Sequence, residues 1–219
     1  MADDPSRADV RDTYERIGSH FSKTREYAWP EVEAFVEDQA TSGRGLDVGC
    51  GNGRHTALLA AHLDHVVGLD ASAELLAAAR DRVPDGVGLL QGDAAALPLD
   101  EDCVDLGLYV ATLHHLPTRS GRVDSLDELA RVLDPGGRAL VSAWSTAHDR
   151  FDASPDADAG FDTTVDWTLP GGETVPRFYH VYAPAEFERD VAASALTLVS
   201  LEVSSGNCYG VVEPEGKRP

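Results

Sequence analysis

Leu46-Asp47-Val48-Gly49-Cys50-Gly51-Asn52-Gly53 is the stretch on which the fold turns. An apolar run starting at Arg44 ends there in glycines at alternate positions, and a helical pattern, Arg54 to Leu63, follows at once. Glycine carries no Cβ and accepts left-handed φ angles, so a buried strand that breaks into such a turn can bring its backbone close to a ligand. The ligand then lies beside the N-terminus of the next helix. The same alternation repeats outward. His65 to Leu69 reads as a second strand closed by Asp70, and Ala73 to Arg82 as a helix with Ser72 as its N-cap. Val87 to Leu90 is a short third strand followed by Gly92-Asp93, and Val104 to Val110 a fourth. Val123 to Leu133 reads as a helix and Arg138 to Ala143 as a fifth strand, with Asp134-Pro135-Gly136-Gly137 as the turn between them. Strands alternating with helices imply βαβ units and a doubly wound α/β sheet.

Two stretches stand outside the repeat. Residues 10–38 read as a helical extension ahead of the first strand, broken at Trp29-Pro30. Residues 149–180 are rich in Asp, Gly, Thr and Pro and read as a long inserted loop or small lid on the substrate side. Pro184 to Ser194 then reads as a helix, and Thr197 to Val203 and Tyr209 to Glu213 as a closing strand pair joined through Gly206-Asn207. The whole, residues 1–219, fits a single domain.

The formal net charge is -20, and Lys23 and Lys217 are the only lysines. The acids are spread along the chain, as in the self-repelling, soluble surfaces of halophiles, which implies a salt-rich cytoplasm and a halophilic archaeal source. This charge argues against a broad basic surface for nucleic acid. No apolar run approaches the ~18 residues of a membrane span. Met1 to Asp9 is acidic and polar, unlike a secretory signal, so a cytoplasmic location is expected. Cys50, Cys103 and Cys208 lie far apart with neither metal-ligand spacing nor an even count, so neither a metal nor a disulfide framework is expected.

A carboxylate ending the second strand, Asp70, can accept hydrogen bonds from both hydroxyls of a ribose. Asp93, after the third strand, can accept from an adenine amino group. The glycine spacing is G-x-G-x-G, not the G-x-G-x-x-G of dinucleotide folds. From Leu46 to Leu116 the chain resembles the class I S-adenosylmethionine-dependent methyltransferases. That resemblance implies a Rossmann-like, seven-stranded, mostly parallel sheet with an antiparallel last strand. It also implies S-adenosylmethionine as cofactor, with contacts from Asp47, Gly49, Cys50, Gly51, Gly53, Asp70, Ala71, Asp93, Ala94 and Val110.

The flanks carry a narrower likeness. Tyr14-Glu15-Arg16-Ile17 runs through His20-Phe21-Ser22-Lys23-Thr24-Arg25 to Trp29-Pro30; Arg177-Phe178-Tyr179-His180-Val181-Tyr182 stands near the far end; His114-His115, Thr118-Arg119, Arg122 and Trp144 lie between. Together these resemble the tRNA wobble-uridine methyltransferases, which esterify the carboxylate of 5-carboxymethyluridine in the anticodon. A carboxylate is ionised at neutral pH and needs no catalytic base. Arginine suits such an anion, so Arg25 and Arg177 are expected at the carboxylate or at phosphate. His115 and His180 would orient the acceptor, and Trp144 and Tyr179 would stack on or wall the uracil. Arg119 and Arg122 would assist on the substrate side or balance nearby acids. The family also implies a heterodimer with a small zinc-binding activator. In the implied strand order Val87 to Leu90 is an apolar edge with no guarding lysine, open to strand addition. Two other readings stand beside this one: a methyltransferase of a quinone, lipid or metabolite, and a noncatalytic cofactor-binding subunit.

Overall fold

The computed structural model describes residues 5–39, 42–153 and 157–216. Two helices come first, α1 (Arg7–Ser22) and α2 (Pro30–Gln39). Helix α1 begins earlier than the apolar pattern indicates. Ser6 is its N-cap, accepting from the Asp9 amide while the Asp9 carboxylate accepts from the Ser6 backbone, a reciprocal capping box. Pro30 opens α2, where its missing N–H costs nothing.

The repeat then runs β1 (Arg44–Val48), α3 (Arg54–Ala60), β2 (His65–Asp70), α4 (Ala73–Arg80), β3 (Gly88–Gln91), β4 (Val104–Val110), a 3-10 turn (Leu113–His115), α5 (Arg119–Val132) and β5 (Leu133–Trp144). Helix α5 starts before Val123 because Thr118 caps it, its hydroxyl accepting from the Gly121 amide. The Asp134–Gly137 breaker does not end a strand. It is a bulge inside β5, which pairs with β4 at Leu133 and again from Arg138.

Residues 149–180 are a loop only in part. They hold β6 (Phe161–Thr168) and β7 (Thr174–Val181), an antiparallel hairpin forming its own two-stranded sheet. Alternation within Phe161–Thr168 is weak because most of β6 is exposed, which is why the sequence pattern hides it. The chain closes with α6 (Pro184–Ala192), β8 (Leu196–Ser204) and β9 (Asn207–Pro214).

The main sheet has seven strands in the order β3-β2-β1-β4-β5-β9-β8. Strands β1 to β5 pair in parallel, and β9 runs antiparallel to both β5 and β8. This is the Rossmann-like sheet the sequence implies, with β3 at one edge.

Period-two alternation splits the core between the two faces. Leu106, Leu108 and Val110 of β4 pack with Val32, Phe35 and Val36 of α2 and Leu59 on α3. Tyr109 points the other way, among Leu126 and Leu129 of α5 and Phe187 and Val191 of α6. Each leucine so buried contributes roughly 1.5–3 kcal/mol. Both faces being covered explains the continuous apolar runs of the central strands. The loops at the C-terminal ends of β1, β2 and β4 therefore project from a rigid base. Among the described residues no helix is long and apolar enough to cross a membrane.

Candidate active site

A cavity of about 770 Å³ opens over the C-terminal ends of these strands. Its first half is the glycine turn. Gly49, Gly51 and Gly53 all have positive φ, at 69°, 54° and 76°. At Gly49 a Cβ would stand 2.1 Å from the Thr112 hydroxyl, whereas at Gly51, which lines the cavity, nothing lies within 4 Å of that position. Gly49→Ala is therefore expected to cost about 3 kcal/mol, from the left-handed backbone and the clash together. Urea denaturation would measure it, and wild-type stability would refute the packing described.

Asp70 is 8% exposed, and its two oxygens accept separately: Oδ2 from the Gly51 amide at 2.8 Å and Oδ1 from the Ser72 amide at 2.9 Å. Each oxygen keeps a further lone pair for a hydroxyl. Burial pushes this carboxyl up, against the pull of the backbone N–H groups. Cys50, Ala71, Ala94 and Val110 line the cavity as expected, and so does Asp93. Asp93 is also ion-paired with Arg7 at 2.8 Å. The crevice, with open space at Gly51 and a ribose-sized carboxylate acceptor, fits an adenosyl cofactor.

Two expected cofactor contacts lie elsewhere. Asp47 points beneath the turn, 1% exposed, where the Thr56 hydroxyl donates to it at 2.6 Å. Burial lifts its carboxyl to about 7. Gly53 caps α3 and packs against Ala79 and Val83. Both shape the turn without lining the cavity.

Helix α1 roofs the crevice, with Arg7, Val10, Arg11 and Tyr14 in the lining. Glu15 holds the helix down by accepting from the Ser72 hydroxyl at 2.7 Å, beside the N-terminus of α4. The sequence reading gave α1 no such role, although the capping-box spacing at Ser6 marks its start.

The second half of the cavity is aromatic. Trp144 stacks on Tyr179 with centroids 4.4 Å apart, and His114 stacks on Tyr179 at 5.0 Å. His115 Nδ1 lies 3.0 Å from the Phe178 carbonyl, which can only accept, so this nitrogen carries the proton. Its Nε2 then accepts from the Tyr14 hydroxyl at 2.8 Å. Burial drives the His115 imidazole down to about 3, so it is neutral at physiological pH. His114 Nδ1 accepts from the Trp144 amide at 3.0 Å, leaving the proton of the neutral ring on Nε2. Burial lowers this imidazole as well. Neither histidine offers a free basic nitrogen. Tyr14 and His114 complete this wall and were not among the expected site residues.

Arg25 lines the cavity, its guanidinium 4.7 Å from the Phe21 ring centroid. Arg54, also in the lining, sits 4.8 Å from the Trp29 centroid. Arg177 is close by but behind the wall: it is buried and donates to the Tyr179 hydroxyl at 2.6 Å. Its expected direct contact with the acceptor is thereby corrected to support of Tyr179.

His180 is one residue further along β7 and so faces the opposite side. Its Nδ1 lies 2.6 Å from Asp162, and Nε2 lies 3.2 Å from Glu186. Arg119 and Arg122 also miss the cavity. Both face Asp190 of α6, at 2.7 and 3.7 Å, and tie α5 to α6. Both balance a buried acid.

Comparison with known proteins agrees with this geometry. Residues 46–141 match the family described as "Methyltransferase domain". The tRNA (carboxymethyluridine(34)-5-O)-methyltransferase of Arabidopsis thaliana is 36% identical over 140 residues, 64% of this chain and 33% of that protein. The Saccharomyces cerevisiae protein of the same name is 32% identical over 169 residues, 77% of this chain and 59% of that one. The chain thus spans from about a third to three-fifths of the length of these relatives. Among solved structures, one chain of a complex of the Haloferax volcanii Trm112 methyltransferase activator superposes with a TM-score of 0.69. The match covers 94% of this chain and 97% of that one at 17% identity. Together with the glycine crevice and Asp70, residues 46–141 form a class I S-adenosylmethionine-dependent methyltransferase domain, homologous to the tRNA carboxymethyluridine methyltransferases.

Proposed function

We propose that this protein methylates the carboxylate of 5-carboxymethyluridine at the wobble position of tRNA, forming the methyl ester. One observation carries the reading. The acceptor side of the cavity presents Arg25 and Arg54, neither within 4 Å of a carboxylate among the described residues; the acceptor nitrogens of His114 and His115 are engaged, and His55, whose Nε2 is unpartnered, is held near 3 by burial, too weak a base to take a proton from a neutral acceptor. Such a site suits an acceptor that arrives already anionic. A phenol or amine acceptor would need a group to take its proton; His114 and His115 have their acceptor nitrogens engaged, and burial leaves His55 only feebly basic. The names of the relatives support the same substrate.

Bound S-adenosylmethionine supplies an electrophilic methyl group that a carboxylate oxygen can attack in line. The chain's own residues supply position and field. Asp70 orients the ribose. Arg25 and Arg54 offset the acceptor's charge without a bidentate grip on both oxygens, which would stabilise the ground state. Trp144, Tyr179 and His114 form a flat wall for the uracil, held by Arg177 behind Tyr179. Tyr14 fixes the His115 ring, and α1 shields the crevice from water.

The proposal includes the single-domain organisation and a small zinc-binding activator as partner. Among the described residues strand β3 pairs only with β2 in the sheet order, leaving its outer side for an added strand. The activator named in the Haloferax volcanii complex supports that role. A location where tRNA is modified, the cytoplasm, belongs to the same reading, as does a salt-adapted source.

Nucleoside mass spectrometry of tRNA from a deletion strain tests the substrate. Free 5-carboxymethyluridine should accumulate while its methyl ester disappears. An unchanged nucleoside profile would send the search back to quinones, lipids and small metabolites.

A further inference from the structure

Eight described arginines, Arg7 and Arg138 among them, lie within 4 Å of a carboxylate. In a chain with a net charge of -20 that pairing is unsurprising. Arg25, Arg54 and Arg82 are among the described arginines outside that pattern. None has an acidic side chain within 4 Å among the described residues, and the three are neighbours.

Their setting is built around the turn that joins α1 to α2. Asn52 donates to the carbonyls of Ser22 and Arg25, each at 2.9 Å. Arg82 donates to the carbonyls of Arg25 at 2.6 Å and Glu26 at 3.2 Å, and Arg54 to that of Tyr27 at 3.3 Å. These bonds lock the turn but use only one nitrogen of Arg54 and one of Arg82. Burial, then the charges of Arg25 and Arg82, lower Arg54 to about 10, although the charge of Asp47 partly opposes them. The Tyr27 ring itself is 74% exposed, the most open of the large hydrophobic side chains among the described residues.

We propose that Arg25, Arg54, Arg82 and the exposed ring of Tyr27 form a second subsite at the cavity mouth, a platform for single-stranded RNA flanking the nucleotide that enters the cavity. This rests on the reading of the acceptor as RNA. A base drawn into a cavity leaves its neighbour unstacked, with a π-face open. An exposed tyrosine ring receives such a face whatever the base, and guanidiniums that lack acidic partners receive the phosphates on either side. The platform also reconciles RNA binding with an acidic protein. Attraction is confined to one small cationic spot, while the remaining acidic surface repels polyanions bound in any other place.

The full chain would be titrated with a labelled anticodon stem-loop RNA by fluorescence anisotropy across a salt series, beside Tyr27→Ala and Arg82→Gln. Neither residue lines the cavity, so S-adenosylmethionine binding should match wild type in both variants, and methyl transfer to free 5-carboxymethyluridine nucleoside should match it in Tyr27→Ala, whose side chain holds no part of the Arg25 turn. Tyr27→Ala is expected to weaken RNA binding about tenfold. Arg82→Gln should reduce the slope of log Kd against log salt by about 0.7. Variants that bind the stem-loop like wild type at every salt concentration would overturn the platform. So would a wild-type chain that methylates the nucleoside yet does not bind the RNA, and so would displacement of RNA by inorganic phosphate with Tyr27→Ala silent. Failure to methylate either acceptor, with Tyr27- and Arg82-dependent RNA binding intact, would instead leave the platform standing and remove the carboxylate reading.

Discussion

Asp70→Ala is expected to weaken S-adenosylmethionine binding by roughly a hundredfold or more. Two hydrogen bonds from ribose hydroxyls to a carboxylate are together worth about 3 kcal/mol or more, and each 1.4 kcal/mol is tenfold. The side chain has a second task. Its oxygens anchor the Gly51 and Ser72 amides, so its removal leaves two donors beside the cofactor crevice without their partner. Asp70→Asn separates the two effects. An amide oxygen can still accept from one backbone N–H, but its NH2 cannot accept from the other, and its ribose contact loses the charge. Its loss should fall between wild type and Asp70→Ala. Isothermal titration with the cofactor reads the affinity, and thermal unfolding without cofactor reads the cost to the loop. An Asp70→Ala protein that binds as wild type would remove the crevice as the cofactor site.

Lowering the pH from 7 to 5 is expected to cost this protein about 4 kcal/mol of folding stability. His55 and His115 are held near 3 by burial, and His114 is lowered too. Their unfolded counterparts titrate near 6.5. Above that pH the imidazoles are neutral in both states and exact no penalty. As the pH falls below 6.5, the unfolded chain binds three protons that the folded chain refuses. Asp47 works in the other direction. Its carboxyl, lifted to about 7, takes a proton in the folded state that the unfolded chain does not take until near 3.8. One histidine is thereby offset, leaving a net of about two protons, or roughly 3 kcal/mol per pH unit. The comparison belongs in molar salt, where repulsion among the surface acids is screened. His55 is the best probe, because its Nε2 is buried without a partner and its replacement breaks no hydrogen bond there. His55→Gln should cut the slope by about half. A urea midpoint that does not move between pH 7 and 5 would show that these rings are not held neutral.

The architecture was legible because its determinants are local or repetitive. Glycines at 49, 51 and 53 permit the left-handed backbone that the turn adopts, and the βαβ alternation follows from runs of apolar residues with their turn chemistry. That Asp70 ends β2 beside the turn follows from the same pattern. The hairpin β6–β7 was not legible, since exposed positions carry no alternation to read. Nor was the role of α1: a helix pattern states that a helix exists and is silent on what it covers.

The acceptor side shows the same division at the level of single residues. Arg177, Tyr179 and His180 stand together in sequence as one charged and aromatic cluster, but a strand sends neighbours to opposite faces. Tyr179 reached the cavity, Arg177 stopped behind it, and His180 turned to Asp162 and Glu186. Arg119 and Arg122 look like the free arginines in composition; Asp190, about seventy residues away, claims them. By itself the sequence determined the sheet, the glycine crevice and the cofactor it fits. Only the tertiary structure decided which arginines stay unpaired and which histidine nitrogens are spent. Backbone conformation is dictated by each residue and its near neighbours, whereas charge and hydrogen-bond partnership depend on what distant segments bring within a few ångströms.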